Sequence, residues 1–499
     1  GKELHTGWQI ESPMLVLEDG RREITLRFLL QSTAPATGRQ QGFQLTYSTA
    51  EGWTAIDAEC ALSTHEIMFR TAIGKEGTAP APCTAEAHGM TTEHPTLRLL
   101  STPADYPAWA EGLVFTEARL EVKVTGCRSF TFRNELGEAD TSQPLTPFGV
   151  QAGRGAWFLF GNRETGLKPL KNVTLSGAWQ KIPDTRQGLD VLYEPYGEDT
   201  DSFRVAMEWQ GGPGRQGGHQ WHGYDGGLQP LFSIASDGTL GQARFTFDFR
   251  AEARTAAGGT EYPCDKDGLF RVRLDSPRIG FGTAAYRELF AEVMMHNSRC
   301  KEKHMKALPK DPSTPQLTEV EMAYEAEAST ASQGCTVRMT PVAVAEGYTI
   351  PPREGEGRLL PVYPGSYLLY MAFAGGCGET TVRTYLDMAL PKDRIPYYHP
   401  DPDKETCLAW QYWNGTRWTS IPSKNVFAEE TGGLTQSGFV EITFDGGIRQ
   451  QWLDDKGRLW LRAVLTSEKS PADGGEERRM EDADTSGCLA LRSVHTNCL

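Results

Sequence analysis

The alternation of apolar and polar residues along the chain is that of β-strands. Ile24, Leu26 and Phe28 alternate with polar residues, which is the period-2 signature of a strand with one face in water. The same alternation returns in residues 113–126 and 244–250. These runs predict a fold that is mostly β.

Two turn signals join strands into predicted hairpins. Residues 18–20, Glu-Asp-Gly, separate the apolar run 7–17 from the run 22–30. Residues 414–415, Asn-Gly, lie between two tryptophan-rich runs, and both readily adopt the positive φ of a type I′ turn. We expect a hairpin at each place, and a β-sandwich over the first 150 residues.

A stretch with several glycines and prolines, residues 144–179, joins the first β module to the second. Proline fixes φ and lacks an amide donor, and glycine admits positive φ, so neither favours a continuous helix. We therefore expect a hinge here and another in the proline-rich residues 308–315. The hinge candidates are Pro147, Gly149, Gly155, Pro309, Pro312 and Pro315.

One helix and one flexible loop are predicted in the second module. Apolar residues recur at spacings of three and four between 283 and 304, and the prolines that follow end the pattern. We expect the Met294 and Met295 of this helix to fill core space. Residues 211–227 are rich in glycine, which predicts a flexible loop.

The chain of 499 residues divides into three predicted modules. They are residues 1–150, residues 151–330 and residues 331–499, and we expect the last to be truncated at its C-terminus. The predicted fold class is several β-sandwich-like modules in tandem with one or two short helices.

Charge and cysteine content narrow the possible partners. The formal net charge of −15 argues against nucleic acid or an anionic membrane, since both bind clustered lysine and arginine. The ten cysteines are scattered without a CxxC pair, which predicts free thiols in a reducing cytoplasm. No run reaches the about 18 apolar residues that a membrane span needs, so we expect no membrane span.

The search for catalytic or metal-binding residues finds one weak candidate. His219, His222 and Asp225 lie close together in the glycine-rich loop, but zinc normally takes three or four organised ligands. No GxSxG, HExxH, Walker or GxGxxG motif occurs. We therefore expect a protein that is not an enzyme and holds no metal or cofactor.

The most specific feature of the sequence is a series of short motifs spread along nearly the whole chain. They include Gly7, Trp8, Ser12, Pro13, Pro147, Phe148, Gly149, Gly155, Phe160, Gly161, residues 170–179, Ser276, Pro277, Phe281, Gly282, Tyr286, Leu308, Pro309, Pro312, Thr314, Pro315, Tyr324, residues 410–418, Gly433, Leu434, Ser437, Gly438 and residues 460–462. In type and order they resemble the baseplate J-like family of contractile phage tails and extracellular contractile injection systems. The glycine-rich loop, the cysteine count and the acidic segment before Cys488 depart from that pattern.

This resemblance implies a structural role. A member of the family would be a baseplate wedge subunit that contacts other wedge subunits, the hub and spike, the first sheath ring and the tail fibres. It would be made in the cytoplasm and assembled into an injection particle. Aromatic residues concentrate binding energy at interfaces, so Trp410, Trp413 and Trp418 are the interface candidates.

Two other functions stay open. The same three tryptophans would serve as a stacking platform in a secreted or surface-attached β-sandwich that binds glycans. A hydrolase built on β modules is the other alternative, although no paired catalytic set is found in the sequence.

Overall fold

The computed structural model consists mostly of antiparallel β-sheets. Among the residues that it describes, strands account for 51% and helices for 13%, so the prediction of a mostly β fold is confirmed. The described residues are 5–31, 33–34, 37–102, 107–110, 112–213, 219–224, 227–249, 268–332, 336–345, 348–350, 357–361, 369–374, 380–389, 406–413, 418–444, 458–467 and 490–496.

The strands are numbered in chain order. The first are β1 (His5–Glu11), β2 (Arg21–Leu30), β3 (Gly38–Gln40), β4 (Phe43–Thr49), β5 (Gly52–Ile56), β6 (Ala58–Leu62), β7 (Glu66–Ile73), β8 (Thr96–Ser101) and β9 (Phe115–Cys127). Next come β10 (Thr131–Asn134), β11 (Gly137–Glu138), β12 (Trp157–Gly161), β13 (Leu170–Gln180), β14 (Arg204–Pro213), β15 (His219–Gly223), β16 (Gln229–Pro230), β17 (Ala243–Asp248), β18 (Leu269–Ser276) and β19 (Gln316–Ser329). The last are β20 (Arg338–Ala345), β21 (Tyr348–Ile350), β22 (Leu369–Ala374), β23 (Thr380–Ala389), β24 (Thr406–Trp413), β25 (Trp418–Ser420), β26 (Val426–Glu429), β27 (Gly438–Phe444), β28 (Arg458–Ser467) and β29 (Ala490–Thr496).

These strands form five sheets within the described residues. The first sheet has the order β21-β20-β1-β8-β4-β5, and the second has the order β17-β13-β19-β9-β2-β7-β6-β3. The third has the order β11-β10-β12-β18-β14-β15, with β16 also paired to β14. The fourth is β22-β28-β24-β25, and the fifth is β26-β27-β23-β29.

The first sheet packs on one half of the second sheet, and together they form a sandwich. Ring contacts join the two layers, with centroids 5.4 Å apart for Trp8 and Phe115 and 5.4 Å apart for Phe43 and Phe69. The apolar residues of β2 point into this core while their polar neighbours stay at the surface. The alternation in the sequence therefore identified the buried face of β2 correctly.

The predicted hairpin of the first two strands is wrong. β1 pairs with β8 and β20, whereas β2 pairs with β7 and β9 in the opposite layer. A 3-10 turn at Pro13–Leu15 lies between them and buries Met14 and Leu15. The turn carries the chain from one layer to the other, and its apolar residues made the run look like a continuous strand.

The second sheet is shared between two sandwiches. Its other half, β17-β13-β19, packs on the third sheet through phenylalanines, with ring centroids 5.4 Å apart for Phe158 and Phe245 and 4.9 Å apart for Phe247 and Phe270. Strands on both sides of residue 150 belong to this one sheet. The first two predicted modules therefore share a sheet, and β20 adds a strand from beyond residue 330 to the first sheet.

The fourth and fifth sheets enclose a separate core. Met371, Trp410 and Leu461 of the fourth sheet pack with Leu386 and Val440 of the fifth. β24 and β25 pair as predicted, with residue 413 opposite residue 418. The Asn-Gly turn at 414–415 lies outside the described residues.

Four α-helices occur in the described part of the chain. They are α1 (Ala85–His88), α2 (Arg163–Leu167), α3 (Arg186–Tyr193) and α4 (Tyr286–Arg299). The predicted helix at 283–304 corresponds to α4 and a 3-10 turn at Glu302–His304. No helix among the residues described here is long and apolar enough to cross a membrane.

The prediction of a flexible loop at 211–227 is wrong where the structure describes this segment. β14 continues to Pro213 and pairs with β15, which begins at His219. Backbone hydrogen bonding between the two strands outweighs the conformational freedom of the glycines here. Residues 214–218 and 225–226 lie outside the described residues.

Candidate functional site

Nine phenylalanines form an aromatic centre between the second and third sheets. None is more than 2% exposed, and together they are Phe132, Phe148, Phe158, Phe160, Phe203, Phe245, Phe247, Phe270 and Phe281. They come from β10, β12, β17, β18 and three connecting segments. Nine rings can be buried from water only if they are packed on both sides, and the two sheets supply this packing.

Three of the family-like motifs, those that contain Phe148, Phe160 and Phe281, contribute to this aromatic centre. The ring of Phe148 lies 5.3 Å from that of Phe158 and 5.8 Å from that of Phe281. Phe281 in turn stacks on Phe203, with centroids 5.6 Å apart and an interplanar angle of 10°. Motifs that are far apart in the sequence are thus in direct contact.

Two glycines allow the backbone segments around the centre to approach closely. A Cβ on Gly280 would lie 1.7 Å from the carbonyl oxygen of Ala152, and one on Gly161 would lie 2.1 Å from that of Gly268. Both glycines also have positive φ, at 58° and 148°. Any side chain at either position would push two backbone segments apart.

The two predicted hinge segments lie side by side. Leu145 and Leu317 exchange backbone hydrogen bonds of 2.8 Å each, and Thr314 Oγ1 donates to the carbonyl oxygen of Val150 at 2.9 Å. Gly155 N–H donates to Leu274 O at 2.7 Å. Other hinge candidates are buried, namely Pro147, Gly149, Pro309, Pro312 and Pro315. The hinge function stays a prediction, but movement of either segment would have to involve the other.

A buried charged group joins three parts of the N-terminal region. Lys168 Nζ lies 3.1 Å from Glu164 Oε2 and donates to Tyr324 Oη at 2.6 Å, and it also donates to the carbonyl oxygen of Val16. The Tyr324 hydroxyl donates to Glu164, whose other oxygen accepts from Glu18 N–H at 2.8 Å. The three side chains are buried and every polar atom has a partner, as such a group requires.

The environment of Tyr324 keeps its hydroxyl protonated. Burial is the main cause that raises the pKa of Tyr324 well above its ordinary value, and the charge of Glu164 adds to it. Burial also raises the pKa of the neighbouring Cys127 thiol to about 12. The group is therefore a fixed structural contact between helix α2 and strand β19, with neither a thiolate nor a phenolate at neutral pH.

An acidic cleft lies between α3 and the loops beside it. Its volume is about 840 Å³, and its lining carries the carboxylates of Asp190, Glu194, Glu198, Asp199 and Asp237 against the single arginine Arg186. A hydrogen bond from the Thr239 side chain is the main cause that lowers the pKa of Asp237, so this carboxyl stays ionised. The cleft is a negatively charged surface at neutral pH.

The prediction that the methionines of α4 fill core space is wrong. Met294 is 48% exposed and Met295 is 58% exposed, and Val293 is the buried residue of this helix. Leu289 and Phe290 are half-buried. The spacing of three and four described the covered side of the helix correctly, whereas Met294 lies at the edge of that side and Met295 lies outside it.

The chain after α4 folds back along the helix. The Asn297 side chain donates to Lys306 O and accepts from Lys306 N–H, both at 2.8 Å. This return places two further exposed apolar residues beside the helix end, Met305 at 51% and Leu308 at 48%. We call residues 286–310 the α4 arm.

Of the three metal candidates, only His222 has a side chain in the described part of the chain. His222 stacks on Trp209, with ring centroids 4.5 Å apart. The segment that was expected to be a loop is here the strand β15, which pairs with β14. Asp225 lies outside the described residues, and among those described no group of three or more His, Cys, Asp and Glu residues is placed to hold a metal.

The three tryptophan candidates do not form one exposed row. Trp410 is 3% exposed and packs in the second core, although we expected it at an interface. Trp413 is three residues further along β24, so it faces the other side of the sheet and is half-buried. Trp418 lies opposite it in β25. A stacking platform of all three is therefore not present.

Comparison with known proteins adds no relative. No family model matches the chain, and no curated protein matches it. The likeness to baseplate J-like proteins thus rests on the motifs of this sequence.

Several residues of interest were missed in the sequence. Glu164 and Lys168 are four apart, the spacing of a helical ion pair, but the short helix α2 gave no apolar period to reveal it. The acidic cleft had a clearer signal, because carboxylates are dense between residues 184 and 201.

Proposed function

We propose that this protein is a structural baseplate wedge component of a contractile injection system or phage-tail-like particle. It links hub, sheath and fibres, and it transmits the trigger for contraction. In this proposal the protein is not an enzyme, and it is assembled into its particle in the cytoplasm.

The observation that carries the proposal is the contact between the family-like motifs. Phe148, the short strand β12 and Phe281 pack on one another in the aromatic centre. Residues that resemble one family in order and also touch in space form a single structural unit. Chance similarity of separate strands would not require such residues to be in contact. This supports reading the motifs at residues 147–161 and 276–286 together as one resemblance.

The architecture suits a part that must transmit force. The first three sheets share one core, so the two sandwiches they form make a stiff block. The paired hinge segments lie within that block, so a trigger built on them has to repack this part of the core into a second arrangement of similar free energy. Fibre engagement shifts the balance between the two packings only if the fibre binds one packing more tightly than the other.

The test is electron microscopy of particles from a strain that lacks this gene, beside its parent and a strain complemented with the intact gene. We expect sheathed particles to disappear, or tubes to form without organised baseplates, and complementation to restore them. Intact contractile particles in normal number in the deletion strain would overturn the proposal.

A further inference from the structure

We propose that the α4 arm is a docking surface for an acidic amphipathic segment of another protein. Four exposed apolar side chains lie on the helix and on the segment that returns beside it, namely Met294, Met295, Met305 and Leu308. Exposed apolar side chains gathered on one short element mark an interaction surface more often than scattered ones do.

The helix itself gains from being covered. α4 has 14 residues, begins at Tyr286 without a side-chain cap, and has Val293 as its buried residue. Helices of about 12–15 residues are marginal in water unless an apolar face is packed. A partner packed on the exposed Met294 and Met295 would add to the packing that the rest of the chain gives only in part.

The charge around the apolar face specifies the partner. Arg299, Lys301, Lys303, Lys306 and Lys310 are all exposed, and Glu302 is the one carboxylate in that interval. Among the described residues none of the five basic side chains makes an ion pair. A local excess of positive charge on a chain of net charge −15 is complementary to an acidic partner.

The chemistry of the arm favours a protein segment over other anionic partners. Phosphate groups would bind the lysines but leave the methionine and leucine side chains in water. An anionic membrane is an extended charged surface and would be repelled by the net charge of −15 of the whole chain, whereas a short acidic segment meets only the arm. Glu288 and Glu292 are exposed on α4 and confine the acidic residues of that segment to the basic end of the arm, residues 299–310. An acidic helix with one apolar face satisfies both features, and flexible methionines adapt to its side chains.

The test uses the full chain and a fluorescein-labelled helical peptide of about 18 residues, or about five turns. In this peptide leucine occupies every third or fourth position and glutamate most others. One control peptide has lysine in place of glutamate, and a second has the same composition with the leucines scattered around the helix. We expect saturable binding of the first peptide in fluorescence anisotropy, weakened about tenfold or more for each control.

Variants locate the binding on the arm. The double variant Met294→Ser/Met295→Ser and the double variant Lys303→Glu/Lys306→Glu should each weaken binding about tenfold. Leu136→Ser is the matched control, because Leu136 is 73% exposed in the turn between β10 and β11. All five positions are exposed, so unchanged thermal unfolding and circular dichroism would establish that each variant is folded.

Several results would overturn the inference. One is equal binding of the acidic and lysine peptides, or absence of saturable binding, and another is binding that the arm variants do not change. Arm-dependent binding to phosphatidylserine vesicles would assign the surface to a membrane. Self-association of the chain that is lost in the Met294→Ser/Met295→Ser variant would assign it to a second copy. None of these results bears on whether particles form without the gene, so failure here is distinct from failure of the wedge proposal.

Discussion

The aromatic centre and the α4 arm are near neighbours in the sequence and opposites in the structure. Phe281 is completely buried, while Met295, fourteen residues later, is more than half exposed. Both regions present large apolar side chains at regular spacing. Apolar periodicity alone therefore does not decide whether a residue is covered.

The difference lies in what provides the cover. In the aromatic centre two sheets face each other, and the strand ladders fix which side chains point between them. In the α4 arm the helix has one buried residue, Val293, and the chain after it has the buried Pro309. A helical stripe shows that one side is apolar, but the surface that covers this side can belong to another molecule.

The largest expected effect is in the aromatic centre. Phe158→Ala should lower the free energy of unfolding by about 3–5 kcal/mol, because it removes a ring packed against four other rings. The measurement is the shift in the thermal unfolding transition. Phe427→Ala is the control, since Phe427 is 69% exposed and should change little. Equal shifts of the unfolding transition for the two variants would contradict the contrast between buried and exposed aromatic residues.

Removing one partner of the buried charged group should cost nearly as much. Lys168→Met removes the cation that pairs with the buried Glu164 side chain. Breaking a buried ion pair in this way typically lowers the free energy of unfolding by about 3–5 kcal/mol. The double variant Glu164→Gln/Lys168→Met should recover part of this loss, because no uncompensated charge remains. Urea unfolding of the two variants and the parent gives the comparison. A double variant no more stable than Lys168→Met would mean that the charge of Glu164 is not what makes the single change costly.

A pair of glycines separates backbone strain from crowding around the centre. Gly149 and Gly280 both have positive φ, at 77° and 58°, but only at Gly280 would a Cβ meet the backbone. Gly149→Ala should cost about 1–2 kcal/mol from strain, and Gly280→Ala should cost more because Ala152 must move. Thermal unfolding of the two variants measures the difference. Similar losses would show that the close approach at Gly280 relaxes freely.

The smallest effect is expected on the arm. Met295→Ala should change the free energy of unfolding by no more than about 0.5 kcal/mol, as exposed positions usually do. Its expected consequence is in binding, which the peptide titration measures. A large loss of stability would place Met295 in a packed core and remove the contrast on which the docking proposal stands.

The strands were more predictable than their partners. Ile24, Leu26 and Phe28 alternate because β2 has one wet face, and such a pattern can be read from the sequence. The pairing of β1 with β20 could not be predicted from the sequence, because β20 lies far from β1 along the chain. Such pairing is decided by packing between layers. The turn at Pro13–Leu15 is buried, so it lacks the polar residues that usually mark a turn.

The candidate sites were predictable only where local spacing decides the outcome. The spacing of His219 and His222 favours a shared metal on a loop or helix, but β15 is a strand. Trp410 and Trp413 were grouped because they are close in sequence, whereas the strand period places them on opposite faces. The acidic cleft required α3 and the loop at Asp237 to meet, which no local pattern specifies.

The long-range pairing of β1 has a consequence for synthesis of the chain. Trp8 lies opposite Pro341, and β9 likewise lies beside β19, so both N-terminal sheets keep an open edge until residues 316–345 emerge. At about 5–20 residues per second the ribosome needs on the order of 10–50 s after the synthesis of β8 and β9 to supply them. Open strand edges pair with other chains, so the nascent protein requires protection of those edges during that interval.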